Sequence, residues 1–133
     1  MYARHLFSLM MLMRWQLAFP GRALPLLGAE DVQALRTAVG NVHASEALLG
    51  YVQALLTRSR QHPGVRVGLS PRAGIALLRA ARAHALLLGR GHVLPEDVQA
   101  LFLAVASHRL VPDADAGAHE ALAKAILHAV PVD

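Results

Sequence analysis

Apolar residues recur at helical spacing over most of the chain. Val32, Leu35 and Val39 follow Glu30 and Asp31, acids suited to the first turn of a helix. Ser45 can cap a second helix whose Leu48, Leu49, Val52, Leu55 and Leu56 share one face. Pro63-Gly64 predicts its end near His62, because proline cannot continue a helix comfortably. Val65 and Val67 flank Arg66 in a short alternating stretch that suits a small strand or an extended loop. A third helix is expected from about Pro71 to Leu88, stopped by Gly89. Ile75, Leu77, Leu78, Leu86, Leu87, Leu88 and many alanines cover most of its circumference, which predicts a central, surrounded helix. A fourth begins at Pro95-Glu96-Asp97, with Val98, Leu101, Phe102 and Val105 as its buried stripe. After a loop from Pro112 to Gly117, a last amphipathic helix carries Leu122, Ala125, Ile126 and Ala129 before Pro131. The expected fold class is all-α, a small bundle of about five helices.

The first residues follow another pattern. Leu6 to Phe19 is apolar except for Ser8, Arg14 and Gln16. That is shorter than the roughly 20 apolar residues a membrane span needs. Arg14-Trp15-Gln16 interrupts it and no Ala-x-Ala cleavage site follows, so a signal peptide is disfavoured. A hydrophobic arm belonging to a larger body is the better reading, with the Met10-Met11-Met13 cluster and Trp15 as core or bare interface. Pro20, Gly21, Pro25 and Gly28 then mark a linker. The expected organisation is arm and linker over residues 1–28 and a helical domain over 29–133.

Composition narrows the chemistry. Of 133 residues, 55% are hydrophobic but only 5% aromatic, so the apolar content is chiefly the helix formers Ala and Leu, with Val. The absence of cysteine excludes disulfides, thiolate metal sites and a cysteine nucleophile, and fits a cytosolic protein. The net charge of +4, carried largely by arginine, suits phosphate, nucleic acid or acidic surfaces without choosing among them. Among the eight histidines, His84 to His92 and His119 to His128 are not spaced as metal ligands on one helix face, so no metal site is expected. His108-Arg109 suits the C-terminal dipole of the fourth helix, and Glu96 and Asp97 suit its N-terminal one rather than catalysis. Glu120 is expected to be solvated. No Gly-x-Ser-x-Gly elbow occurs, and no catalytic residue is expected in this chain.

One segment carries a clearer chemical signal. In Gly68-Leu69-Ser70-Pro71-Arg72 the Ser70 hydroxyl can accept from a first-turn N–H, and Pro71 stands where a missing N–H does no harm. Remaining N–H groups and the positive dipole end favour an anion. Arg72 adds a planar donor fork suited to phosphate, with Arg79 two turns along and Arg82 three residues further. Read from spacing alone the motif is weak, since arginines on a helix usually form a solvated face or pair with acids.

The run Val65-Arg66-Val67-Gly68-Leu69-Ser70-Pro71-Arg72-Ala73, continuing as Ala76-Leu77-Leu78-Arg79-Ala80-Ala81-Arg82-Ala83, resembles the lid helix of MoxR-family AAA+ ATPases. Their pattern there reads V-x-L-G-A-S-P-R-A, then A-L-L-R-A-A-R-A. Upstream, Tyr51-Val52 through Thr57-Arg58 and His62-Pro63 looks like the family's Y-V-x-x-L-V-x-x-T-R-x-H-P. Downstream, Gly89-Arg90-Gly91-His92-Val93 with Pro95-Glu96-Asp97-Val98 resembles G-R-D-Y-V-T-P-D-D-V, and His108-Arg109-Leu110 matches H-R-L. The similarity runs from about Ala29 to Val132. It implies the small C-terminal helical lid packed over a nucleotide. Arg72 then matches the sensor 2 arginine that touches the γ-phosphate, with Ser70 and Pro71 at the binding helix start and Arg79 as a weaker candidate.

The resemblance also implies a parent that binds ATP and magnesium and hydrolyses ATP. Such a parent is a bacterial, cytoplasmic, chaperone-like machine that remodels partners as a hexameric ring, often beside von Willebrand factor A domain proteins. The lid's own partner would be the AAA+ core of the same or a neighbouring subunit. Three departures qualify this picture. No Gly-x-x-x-x-Gly-Lys-Ser/Thr loop occurs, and no apolar strand ends in paired acids. Leu12 to Pro20 is similar to the last core strand, yet Ser8-Leu9-Met10-Met11 stands where relatives carry an arginine-finger motif. Leu94 replaces the usual threonine cap before Pro95, which predicts a weaker helix start. The expectation is a lid without its core, either a fragment or a degenerate protein, inactive alone and with no cofactor bound. The alternatives are a basic helical nucleic-acid-binding module and a stand-alone protein-interaction module. Against the first, no helix shows the polar residues that read bases.

Overall fold

The computed structural model describes residues 27–114 and 118–132. The chain divides into two compact units, residues 1–33 and 34–133. The described residues form five helices: α1 (Ala29–Asn41), α2 (Glu46–Gln61), α3 (Pro71–Leu87), α4 (Pro95–Ala106) and α5 (His119–His128). A short 3-10 turn, Ser107–Arg109, extends α4. The alternating valines do form a strand: β1 (Val65–Val67) pairs antiparallel with β2 (Val111–Pro112). The all-α expectation holds, with this small ribbon tying the two inter-helix connections together. The hydrophobic arm, including Met10, Trp15 and the linker prolines, lies outside the described residues.

The core of the second unit sits where α2, α3, α4 and α5 meet. Leu55, Leu77, Val98, Phe102, Leu110 and Ile126 are its most buried large apolar side chains. α4 packs on α3, α5 and α2, which makes it the central helix. That position corrects the expectation for α3. Its inner face is made of small residues and one leucine, Ala73, Gly74, Leu77, Ala81 and Ala85, while Ile75 is 54% and Leu87 84% exposed. Small residues let neighbours approach closely: a Cβ on Gly74 would stand 2.7 Å from Leu56 Cδ1. The helix therefore needs only one packed face, and its outer leucines are left uncovered. Likewise Leu49 of α2 is exposed, and on α5 Ala123 rather than Ala125 turns inward with Leu122 and Ile126. The stripe on α1 forms in sequence order, yet no residue of that helix is buried.

Chain reversals follow local chemistry. Ser45 caps α2, its hydroxyl accepting from the Leu48 N–H at 3.2 Å. At the end of α3, Gly89 adopts φ 75°, where a side chain would be strained. Its N–H donates to the Leu86 carbonyl at 2.9 Å and that of Arg90 to Ala85 at 2.9 Å, the paired bonds of a Schellman turn. This turn aims Arg90 back at the start of α4. Arg109 donates to the Val105 carbonyl at 2.6 Å, in keeping with its place at the C-terminal end of α4.

Candidate nucleotide-facing site at the start of α3

Two helices build the start of α3. Ser70 has extended backbone (φ −78°, ψ 162°), and its hydroxyl accepts from the Ala73 N–H at 3.3 Å. Pro71 takes the first helical position and offers no N–H. The Arg72 N–H is left without an acceptor among the described residues. Its guanidinium is exposed and forms no ion pair with the described residues. Ser70, Pro71 and Arg72 thus converge as one donor-rich helix end. Arg79 is also exposed on nearly the same face, but seven residues on, about 10 Å along the axis, with Ile75 between. The two arginines form a stripe, not a pocket around a single phosphate. Arg82 is half-buried, and its Nε is buried without a hydrogen-bond acceptor among the described residues.

The approach to the cap is fixed from α2. Ser59 is wholly buried; its Oγ donates to the Leu56 carbonyl at 2.7 Å and accepts from the Leu69 N–H at 2.8 Å. The next residue, Arg60, donates from Nη1 to the Leu69 carbonyl at 3.2 Å. Gly68 lies so close to α2 that an added Cβ would meet Arg60 N and Cα at 2.8 Å. Neither Ser59 nor Arg60 stands out from the sequence pattern, although a signal is there. Counted from Tyr51, the family's T-R pair falls on Ser59-Arg60, not on Thr57-Arg58.

A second polar centre joins α3 to α4. Asp97 is 1% exposed; Arg90 donates from Nη1 to Oδ2 at 2.7 Å and from Nη2 to Oδ1 at 2.6 Å. His84 Nδ1 lies 2.7 Å from Oδ1, and the Leu94 N–H donates to Oδ2 at 2.8 Å. Asp97 therefore does more than offset a helix dipole. From the third position of α4 it accepts the Leu94 N–H, one half of a capping box; leucine at position 94 has no oxygen for the other half, the bond a threonine there would make. The Arg90 hydrogen bonds hold its carboxyl well below the usual carboxylate range against the cost of burial, helped by Leu94 and His84. A carboxyl depressed on folding stabilises the protein above its unfolded pKa, and that stability is lost as pH falls. Acid unfolding monitored by circular dichroism should thus begin as pH drops through about 4, the ordinary aspartate range, and an Asp97→Asn chain should lose much of that acid dependence. Glu120 is exposed and pairs with Lys124 at 2.7 Å. Among the described residues no three His, Cys, Asp or Glu side chains gather as metal ligands. No described helix is long and apolar enough to cross a membrane.

Known proteins resemble this chain in sequence and fold. The family model of the AAA lid domain matches residues 57–129, from the last turns of α2 to just past α5. The chain is 38% identical over 112 residues to the uncharacterized protein YeaC of Bacillus subtilis, covering 81% of this chain and 35% of that protein. It is 33% identical over 120 residues to the chaperone MoxR1 of Mycobacterium tuberculosis, covering 84% and 32%. The crystal structure of a candidate ATPase from Cytophaga hutchinsonii matches with a TM-score of 0.74 at 27% identity, covering 78% of this chain and 36% of that one. The chain spans about a third of the length of these curated relatives. With a capped α3, a one-sided helix packing and a family model that takes in most of the bundle, the chain belongs to the AAA lid domain family, in its MoxR-type form.

Proposed function

We propose that this lid senses nucleotide for a MoxR-type AAA+ core, through Arg72. The observation that carries the reading is an exposed guanidinium, free of carboxylate partners among the described residues, at a serine-capped helix start. A cation already paired to an acid would have to break that pair to bind phosphate; Arg72 does not. Bound ATP with its magnesium supplies the reactive phosphoanhydride. This chain's own part is to hold a terminal phosphate oxygen with the Arg72 guanidinium and the free Arg72 N–H, and to register its loss. Arg79 and Ile75 extend the same face toward the core of the same or a neighbouring subunit.

A hexameric cytoplasmic ring that remodels partner proteins, with a von Willebrand factor A domain protein among them, completes the reading; the chaperone name of the mycobacterial relative supports the remodelling role. The 133-residue sequence has no phosphate loop and no paired-acid strand end, so the lid contributes half a site. Calorimetric titration of ATP onto this chain should accordingly give no saturable signal below about 1 mM, equivalent to roughly 4 kcal/mol. The role itself is tested in a chimera whose Cytophaga ATPase segment is replaced by the matching part of this chain. There Arg72→Ala should lower steady-state ATP turnover about a hundredfold, as removal of one charge-stabilising donor does. Unchanged turnover would remove the sensing role.

A further inference from the structure

We infer that Ser59 is a positioning residue for Arg72, acting through a two-point clamp on the backbone either side of the Leu69 Cα. The Leu69 N–H is held by Ser59 Oγ at 2.8 Å and its carbonyl by Arg60 Nη1 at 3.2 Å, so two consecutive residues of α2 grip both polar groups of Leu69. That residue directly precedes the cap, Ser70. A backbone gripped at both its donor and its acceptor cannot rotate about the chain axis, which is the motion that would swing the start of α3. Gly68 removes the remaining freedom, because its backbone lies against that of Arg60 with no room for a Cβ. The Ser59 hydroxyl suits this role because it is wholly buried and engaged as both donor and acceptor, donating to Leu56 and accepting from Leu69. Arg72, by contrast, is held by no side chain among the described residues, so its placement depends on the direction in which α3 leaves the clamp. Preorganised donors outperform mobile ones because nothing must be ordered when the anion arrives.

The functional half of this inference rests on the sensing role proposed above. The test therefore has two readouts. In the 133-residue chain, hydrogen exchange of the Leu69 amide reports the clamp with no nucleotide present. Ser59→Ala should speed that exchange roughly tenfold, the effect of losing one buried acceptor. Ser59→Thr, which keeps the hydroxyl, should stay near wild type. Arg60→Met, at an exposed side chain, should leave the fold intact and speed exchange less. In the chimera, Ser59→Ala should raise the ATP concentration at half-maximal rate and lower the maximal rate toward those of Arg72→Ala, and Ser59→Thr should restore both.

Unchanged Leu69 exchange in Ser59→Ala overturns the clamp. Faster exchange with wild-type ATP kinetics makes the serine merely structural and overturns the positioning role. If Ser59→Ala does not fold, Arg60→Met decides between the same outcomes. An Arg72→Ala chimera that behaves as wild type sinks the sensing reading instead, and Leu69 exchange still decides the clamp.

Discussion

Replacing Asp97 with alanine is expected to lower the unfolding free energy by about 3 kcal/mol, the low end of the range for removing one partner of a buried ion pair. The substitution breaks four contacts at once: Arg90 Nη1 and Nη2, His84 Nδ1 and the Leu94 N–H all lose their acceptor. It also removes the side-chain oxygen that reaches back across the first turn of α4 to the Leu94 N–H. The low end applies because the Arg90 side chain is 25% exposed and can turn to water once released. For a domain of about 100 residues, a thermal melt should fall by on the order of 10 °C or more. Asp97→Asn keeps an acceptor for Leu94 and should lie between the two. The contrast is Glu120→Ala, which breaks an exposed pair one helical turn long and should leave the melt unchanged. Equal effects of Asp97→Ala and Glu120→Ala would mean that the joint between α3 and α4 is not held by its carboxylate.

Phe102→Ala should cost more, about 3 to 5 kcal/mol. Among the described residues Phe102 is the largest fully buried side chain, and it stands on the helix that touches α2, α3 and α5 together. Truncation removes the apolar area and leaves a cavity that three packed helices cannot all close around. Small domains hold only about 5 to 15 kcal/mol in total, so the variant should be partly unfolded near 37 °C in a urea titration or a calorimetric scan. Ile75→Ala is the control: it also shortens an apolar side chain, but one that is 54% exposed, and should change stability by less than about 0.5 kcal/mol. A Phe102→Ala loss below about 1 kcal/mol would place the centre of the core elsewhere.

Helix positions are legible in the sequence because caps and breakers are local. Ser45, Pro63, Ser70-Pro71, Gly89 and Pro95 each act through bonds to residues within about one turn, and each stands where the structure has a boundary. Burial is less legible. On α3 the larger apolar residues Ile75 and Leu87 lie outside and mostly alanines lie inside, so apolarity alone does not show which side is packed. The close approach of Leu56 to Gly74 marks the inner face. The polar joints are the least legible. Asp97 reads as a dipole acid because its partners Arg90 and His84 are brought to it by the Gly89 turn, which a periodicity reading does not fold. Ser59 reads as a neutral helix residue because its second partner, Leu69, lies ten residues away across a strand. At the site itself, Ser70, Pro71 and Arg72 are legible together because one helix start holds all three, whereas Arg79 shares their face but not their location.

The central claim is that Arg72 distinguishes a triphosphate from a diphosphate. It is tested most directly by measuring ATP and ADP affinities side by side, by calorimetry, for the chimera with Arg72 and with Arg72→Ala. A charge-assisted hydrogen bond to a terminal phosphate contributes about 1.5 to 3 kcal/mol. The ATP-over-ADP preference should therefore fall at least tenfold in the variant, with ADP affinity nearly unchanged. A variant that keeps the full preference, or loses ATP and ADP equally, would contradict it.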